Sequence, residues 1–147
     1  MKLFVLNGPN LNLLGIREPD IYGRQIFADL EAFIREVCAR ENIEVECFQS
    51  NHEGVLVDVI QSALGKADGI VINPAAYTHT SVAILDALKA VALPAVEVHL
   101  SDINEREAFR HISYPAMACI AQIKGKGFAG YEEAILLLKE YVQGHRA

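Results

Sequence analysis

Leu3-Phe4-Val5-Leu6, closed at once by Asn7-Gly8-Pro9, is an apolar run too short for a helix and bounded by turn residues. Such a run reads as a strand covered on both faces, as the strands of parallel sheets are. Four similar runs follow, at Ile43 to Phe48, Gly69 to Ile72, Ala95 to Val98 and Cys119 to Ile123, most of them rich in Val and Ile. Longer stretches with helical spacing separate them. In the first, Ile26, Leu30, Phe33, Ile34, Val37 and Cys38 gather on one face while Asp29, Glu31, Arg35 and Glu36 fill the remaining arc. Val55, Val59, Ile60 and Leu64 suggest a second helix, Val82, Leu85, Leu88 and Ala92 a third, and Tyr131 to Tyr141 a fourth.

Short buried strands alternating with helices imply parallel pairing through right-handed crossovers, since parallel neighbours cannot be joined by a tight hairpin. The expectation is an α/β fold of flavodoxin-like order, a five-stranded parallel sheet with helices on both faces. In such sheets ligands bind beyond the carboxyl ends of the strands, where the winding reverses. Three segments in those positions are conspicuously polar: Asn7 to Tyr22, Asn73 to Thr80 and His99 to Arg110.

The chain is 147 residues long and 52% hydrophobic, enough to build a core without disulfides or a structural metal. With no repeat, low-complexity tract or linker, residues 1–147 read as a single domain. Nineteen acidic residues against thirteen basic ones give a net charge of −6. No basic field attracts nucleic acid or anionic lipid, so neither is an expected partner. An anionic substrate would need local arginines or backbone N–H groups. The three cysteines, Cys38, Cys47 and Cys119, form no CxxC pair and read as thiols in a reducing compartment. Neither a signal peptide nor a stretch near the ~20 apolar residues of a membrane span is visible, so a cytoplasmic protein is expected.

Gly8 to Arg24 forms an unusually long connection of about seventeen residues, the length of a functional lid, and Leu11, Leu13, Leu14 and Ile16 offer it apolar anchors. Within it Arg17 and Arg24 flank Tyr22. A tyrosine acting as a base near neutrality must shift by roughly three pH units, or about 4 kcal/mol. One guanidinium at ~4 Å in an effective dielectric of ~20 supplies about that much before desolvation. The alternative is an aromatic anchor with its arginines in solvent.

His99 closes the fourth run, and Glu97, two residues earlier, points to the same face of the sheet. A carboxylate beside an imidazole fixes its tautomer and favours the imidazolium, the form a general acid requires. Asn73 and His79 could hydrogen-bond a polyhydroxylated ligand or serve their own loop, with Thr78 or Thr80 capping the next helix. Leu100 and Ser101 could present backbone N–H groups and a hydroxyl to a carboxylate. Arg106 and Arg110, four apart, would share a helical face and suit Arg110 to a bidentate contact, with Asp102 or Glu107 as ordinary partners otherwise. No histidine or cysteine spacing fits a metal site, and no phosphate loop follows the first strand.

Several segments together resemble the type II 3-dehydroquinate dehydratases. Leu6-Asn7-Gly8-Pro9-Asn10-Leu11-Asn12, Leu14-Gly15, Arg17-Glu18-Pro19 and Tyr22-Gly23 are similar to that family's N-terminal signature. Gln49-Ser50-Asn51-His52-Glu53-Gly54, Ile72-Asn73-Pro74-Ala75-Ala76-Tyr77-Thr78-His79-Thr80-Ser81 and Glu97-Val98-His99-Leu100-Ser101 continue it in order, up to Gly125, Gly127, Gly130 and Tyr131. The resemblance implies dehydration of 3-dehydroquinate to 3-dehydroshikimate through an enolate, without cofactor or metal. By that similarity Tyr22 is the base, Arg17 and Arg24 favour its phenolate, Asn10 serves the enolate oxygen, His99 is the acid and Glu97 orients it. Asn73, His79 and Arg110 would bind ring hydroxyls, and Leu100 and Ser101 the carboxylate. The resemblance also implies trimers assembled into a dodecamer, with Asp86 completing a neighbour's site. Asp102, Asn104 and the stretch Pro115 to Gln122 depart from the family pattern, an expected change in packing rather than chemistry. A flavodoxin-like nucleotide- or flavin-binding domain and a catalytically silent assembly subunit are the competing functions.

Overall fold

The computed structural model describes residues 1–16 and 25–145. Its five strands are β1 (Lys2–Asn7), β2 (Glu44–Gln49), β3 (Gly69–Asn73), β4 (Ala95–His99) and β5 (Ala121–Lys124). They form one sheet in the order β2-β1-β3-β4-β5, every pair parallel. The order reverses beside β1, and the fold is flavodoxin-like as expected.

Helices α1 (Phe27–Arg40) and α4 (Ala129–Gly144) cover one face, where Leu30, Ile34, Tyr131, Ile135 and Leu138 meet Leu3, Val5, Val71, Val96 and Val98. Helices α2 (Glu53–Ser62) and α3 (Val82–Val91) cover the other, packing Leu56, Ile60, Ile84 and Leu88 on Phe4, Leu6, Ile70, Ile72 and Ala95. Alternate residues of each central strand thus enter opposite cores, and the strands read as continuous apolar runs for that reason.

The apolar stripes of two helices match expectation only in part: Ile60, Leu85 and Leu88 are buried as expected, and Ala92 is exposed. Leu56 and Ile60 are the buried residues of α2, whereas Val55 and Leu64 are exposed; in α3 Ile84, Leu85, Ala87, Leu88 and Val91 are buried and Val82 is exposed. These helices pack on each other as well as on the sheet, and apolar residues spread beyond one stripe blur its phase. The cap of α3 is Ser81, whose hydroxyl accepts the Ile84 N–H at 2.9 Å, and neither Thr78 nor Thr80. The fifth strand begins two residues later than expected because Pro115–Ala118 coils into a 3₁₀ turn, with the Cys119 thiol donating to the Pro115 carbonyl. Of the four anchors expected after β1, Leu11 and Leu14 are buried while Leu13 and Ile16 are exposed.

Gly8 joins β1 to the turn that follows. Its N–H donates to the Asn73 carbonyl at 2.8 Å, and a Cβ built there would lie 2.5 Å from the Pro74 carbonyl oxygen. Two backbones meet with no room for a side chain. Gly8→Ala is therefore expected to destabilise the fold by about 2 kcal/mol, within the range of overpacked sites, read as a lower denaturation midpoint in urea at an unchanged slope.

Candidate active site

Three strands deliver their following segments to one cleft. Asn10 arrives after β1, Asn73 and His79 at and after β3, and His99, Leu100, Ser101 and Arg110 at and after β4. Seven expected site residues therefore share one concavity at the carboxyl edge of the sheet. Arg17, Tyr22 and Arg24 lie outside the described residues. Asp86 stands exposed on α3 and does not line the cleft.

Glu97 and His99 are adjacent on one face of β4, as the two-residue period of a strand requires. His99 Nε2 stands 2.8 Å from Glu97 Oε2, with both side chains buried. Oε2 also accepts from Gln122 Nε2 at 2.6 Å, and Oε1 from the Ser113 hydroxyl at 2.6 Å. Burial alone would push this carboxyl up. The hydrogen bond and charge of His99, with the donors of Gln122 and Ser113, outweigh burial and hold it below the usual carboxylate range. An anion behind Nε2 leaves Nδ1 as the nitrogen available for proton traffic.

Gln122 and Ser113 went unnoticed in the sequence, although one signal pointed to the first. Gln122 is the cross-strand partner of Glu97 in the β4–β5 ladder, and a carboxylate in a strand covered on both faces needs donors from its neighbours. The stretch containing Gln122 thus reaches the Glu97–His99 pair and is more than packing.

Asn73 serves its own loop at the cleft wall. It lines the cleft, while its Oδ1 accepts the Ala75 N–H at 3.1 Å and its Nδ2 donates to the Tyr131 hydroxyl at 3.0 Å. That hydroxyl donates onward to Asn7 Oδ1 at 2.6 Å, and burial pushes the phenol well above its ordinary range. His79 Nδ1 lies 2.7 Å from the Ile112 carbonyl, so Nδ1 carries the hydrogen. Burial draws His79 below the usual imidazole range, and the charges of His99 and Arg110 reinforce this against the Ile112 bond. A neutral His79 has an acceptor nitrogen left for a hydroxyl.

Arg106 and Arg110 do not share a helix. Ile103–Glu105 and Ala108–Arg110 are separate 3₁₀ turns: Asp102 caps the start of the first through the Asn104 N–H at 2.9 Å, and the backbone turns extended at Arg106. Arg110 still lines the cleft and pairs with Glu107. Asn10 holds a left-handed backbone at φ 70°, its N–H donating to Asn51 Oδ1 at 3.0 Å, while Gln49 Nε2 reaches the Gly8 carbonyl at 3.1 Å. These amides fix the start of the loop.

A parallel sheet whose edge presents an imidazole backed by an anion, among amides and a guanidinium, is the setting of a small-molecule acid–base site. The family profile described as "Dehydroquinase class II" matches residues 1–139. A relative from Geotalea daltonii named 3-dehydroquinate dehydratase is 60% identical over 131 residues, 89% of this chain and 91% of its own. Another so named, from Clostridium perfringens, is 54% identical over 97% of this chain and 99% of its own. The crystal structure of a type II dehydroquinase from Butyrivibrio crossotus superposes with a TM-score of 0.93 at 55% identity, covering 95% of this chain and 97% of that one. The chain belongs to the class II dehydroquinase family.

The lowered pKa of Glu97 carries a sign. A carboxylate favoured in the folded state stabilises it above the ordinary value of 4.5, and that contribution is lost as pH falls through the lower folded value. The stability advantage of wild type over Glu97→Gln is expected to hold steady above about pH 4.5 and to shrink below it, measured by chemical denaturation across pH.

Proposed function

We propose that this chain dehydrates 3-dehydroquinate to 3-dehydroshikimate through an enolate, with Tyr22 as base and His99 as general acid. The observation that carries this reading is the buried Glu97–His99 pair opening onto the polar cleft, in a member of the class II dehydroquinase family. Loss of a hydroxyl β to a ketone needs an acceptor for the α-proton, a donor for the enolate oxygen and a proton for the leaving group. Tyr22 fills the first role in a phenolate form favoured by Arg17, with Arg24 adding charge. Asn10 fills the second, where one aimed donor is worth ~3 kcal/mol. His99 fills the third: its Nδ1–H bond breaks as the departing oxygen takes the proton and leaves as water, and Glu97 keeps the imidazole in place.

Asn73, His79 and Arg110 receive the ring hydroxyls, and Leu100 and Ser101 the carboxylate. Side chains fill every chemical role, so we assign the reaction no cofactor and no metal. We place the enzyme in the cytoplasm, in keeping with its free Cys38, Cys47 and Cys119; among the described residues no helix is long and apolar enough to cross a membrane. Residues 1–147 act as one catalytic domain in this reading. Its partners are the small-molecule substrate and further copies of itself, trimers assembled into a dodecamer, with Asp86 reaching a neighbour's cleft.

Addition of 3-dehydroquinate should raise the ultraviolet absorbance of a conjugated enone; an inactive wild type across pH and salt would overturn the assignment. Tyr22→Phe is expected to lower kcat by about 10²- to 10⁴-fold while retaining ligand binding, and Arg17→Ala to suppress turnover strongly. A fully active Tyr22→Phe enzyme would remove the base. Light scattering should give the mass of twelve chains of 16.2 kDa.

A further inference from the structure

Water cannot reach the group that backs His99. Glu97 is fully buried, and its two oxygens take three contacts: His99 Nε2 at 2.8 Å and Gln122 Nε2 at 2.6 Å on Oε2, and the Ser113 hydroxyl at 2.6 Å on Oε1. The polarity of the Gln122 contact is forced, because an amide nitrogen can only donate. The Ser113 hydroxyl accepts the Ala116 N–H at 3.1 Å and donates its own hydrogen to Glu97. A proton placed on Oε2 would face an obligate donor.

The state of Glu97 decides which proton His99 can give away. Against an anion, neutral His99 keeps its hydrogen on Nε2, and Nδ1 picks up and delivers the catalytic proton. Against a neutral acid, Nε2 would accept instead, and His99 would hold its hydrogen on Nδ1 as an uncharged imidazole, far too weak an acid for a leaving hydroxyl. The risk arises after each proton delivery, when the positive charge of His99 is gone and burial presses harder to neutralise the carboxylate.

We propose that Gln122 and Ser113 are positioning residues that keep Glu97 ionised while His99 is neutral, and so preserve Nδ1 as the proton-carrying atom through the whole cycle. The proposal deepens the dehydratase reading and rests on it for the identity of the reaction. Among the described residues the other titratable groups around Glu97 are His99 on β4, His79 in the turn after β3 and Cys119 ahead of β5, with Arg110 acting on His79. Burial and the charge of Glu97 push the Cys119 thiol up to about 12, so it stays uncharged across the working range.

The test follows the Glu97 carboxyl carbon by ¹³C NMR across pH in wild type, Gln122→Met, Ser113→Ala and Ser113→Thr. The pH profile of kcat/KM with 3-dehydroquinate is measured in parallel. Removing either donor is expected to raise the Glu97 midpoint by about one pH unit and to move the acid limb of the profile up with it, while Ser113→Thr keeps wild-type values. Unmoved midpoints and limbs in Gln122→Met and Ser113→Ala, even with a lowered Tm, would reduce both residues to packing and overturn the proposal. Should Gln122→Met not fold, the half-buried Ser113 decides through its alanine variant. A wild type that leaves 3-dehydroquinate untouched would sink the dehydratase reading instead, and the NMR midpoints would still decide whether these donors hold the anion.

Discussion

A charge sealed from water has to be solvated by the protein itself, and in this fold that demand falls on Glu97. Removing an ion from water is costly unless every lone pair facing the protein meets a donor. Satisfying it ties three parts of the chain to one point: β4 through His99, β5 through Gln122, and the segment between them through Ser113. The Ser113 hydroxyl also starts the 3₁₀ turn at Pro115–Ala118, so backbone and carboxylate are organised by one side chain. The placement of the imidazole follows from this solvation shell, and the order of the sheet brings the shell to the cleft.

Much of the architecture could be read from local pattern. Parallel strands packed between two helical layers carry few polar interruptions, so Leu3 to Leu6 and Gly69 to Ile72 announced themselves as strands. The phases of α2 and α3 were legible only in part, because apolar residues on their exposed faces, Val55 and Val82 among them, blur the stripe that faces the sheet. Arg106 and Arg110 are four apart in a chain that does not run as one helix there, since the backbone turns extended at Arg106 between two short 3₁₀ turns. Spacing is informative only once the element is known.

The candidate site divides along the same line. Glu97 and His99 were legible because they are neighbours on one strand, and their relation needs nothing beyond the pleat. Gln122 and Ser113 reach Glu97 from 25 and 16 residues away, through a ladder register and a loop that no window contains. The dual use of Asn73 likewise required Tyr131, 58 residues along the chain and on a different layer.

That last arrangement has a stereochemical corollary. An asparagine amide offers two hydrogens and two lone pairs, and the direction in which they point can ordinarily reverse by rotation about one bond. In Asn73 the backbone N–H of Ala75 demands the oxygen, while the Tyr131 hydroxyl, its hydrogen already spent on Asn7, demands the nitrogen. Rotation would break both contacts at once. Any guest entering the cleft therefore meets a dipole of fixed orientation there, with a single hydrogen and a single lone pair left to offer, and must match that handedness with its own alcohol groups.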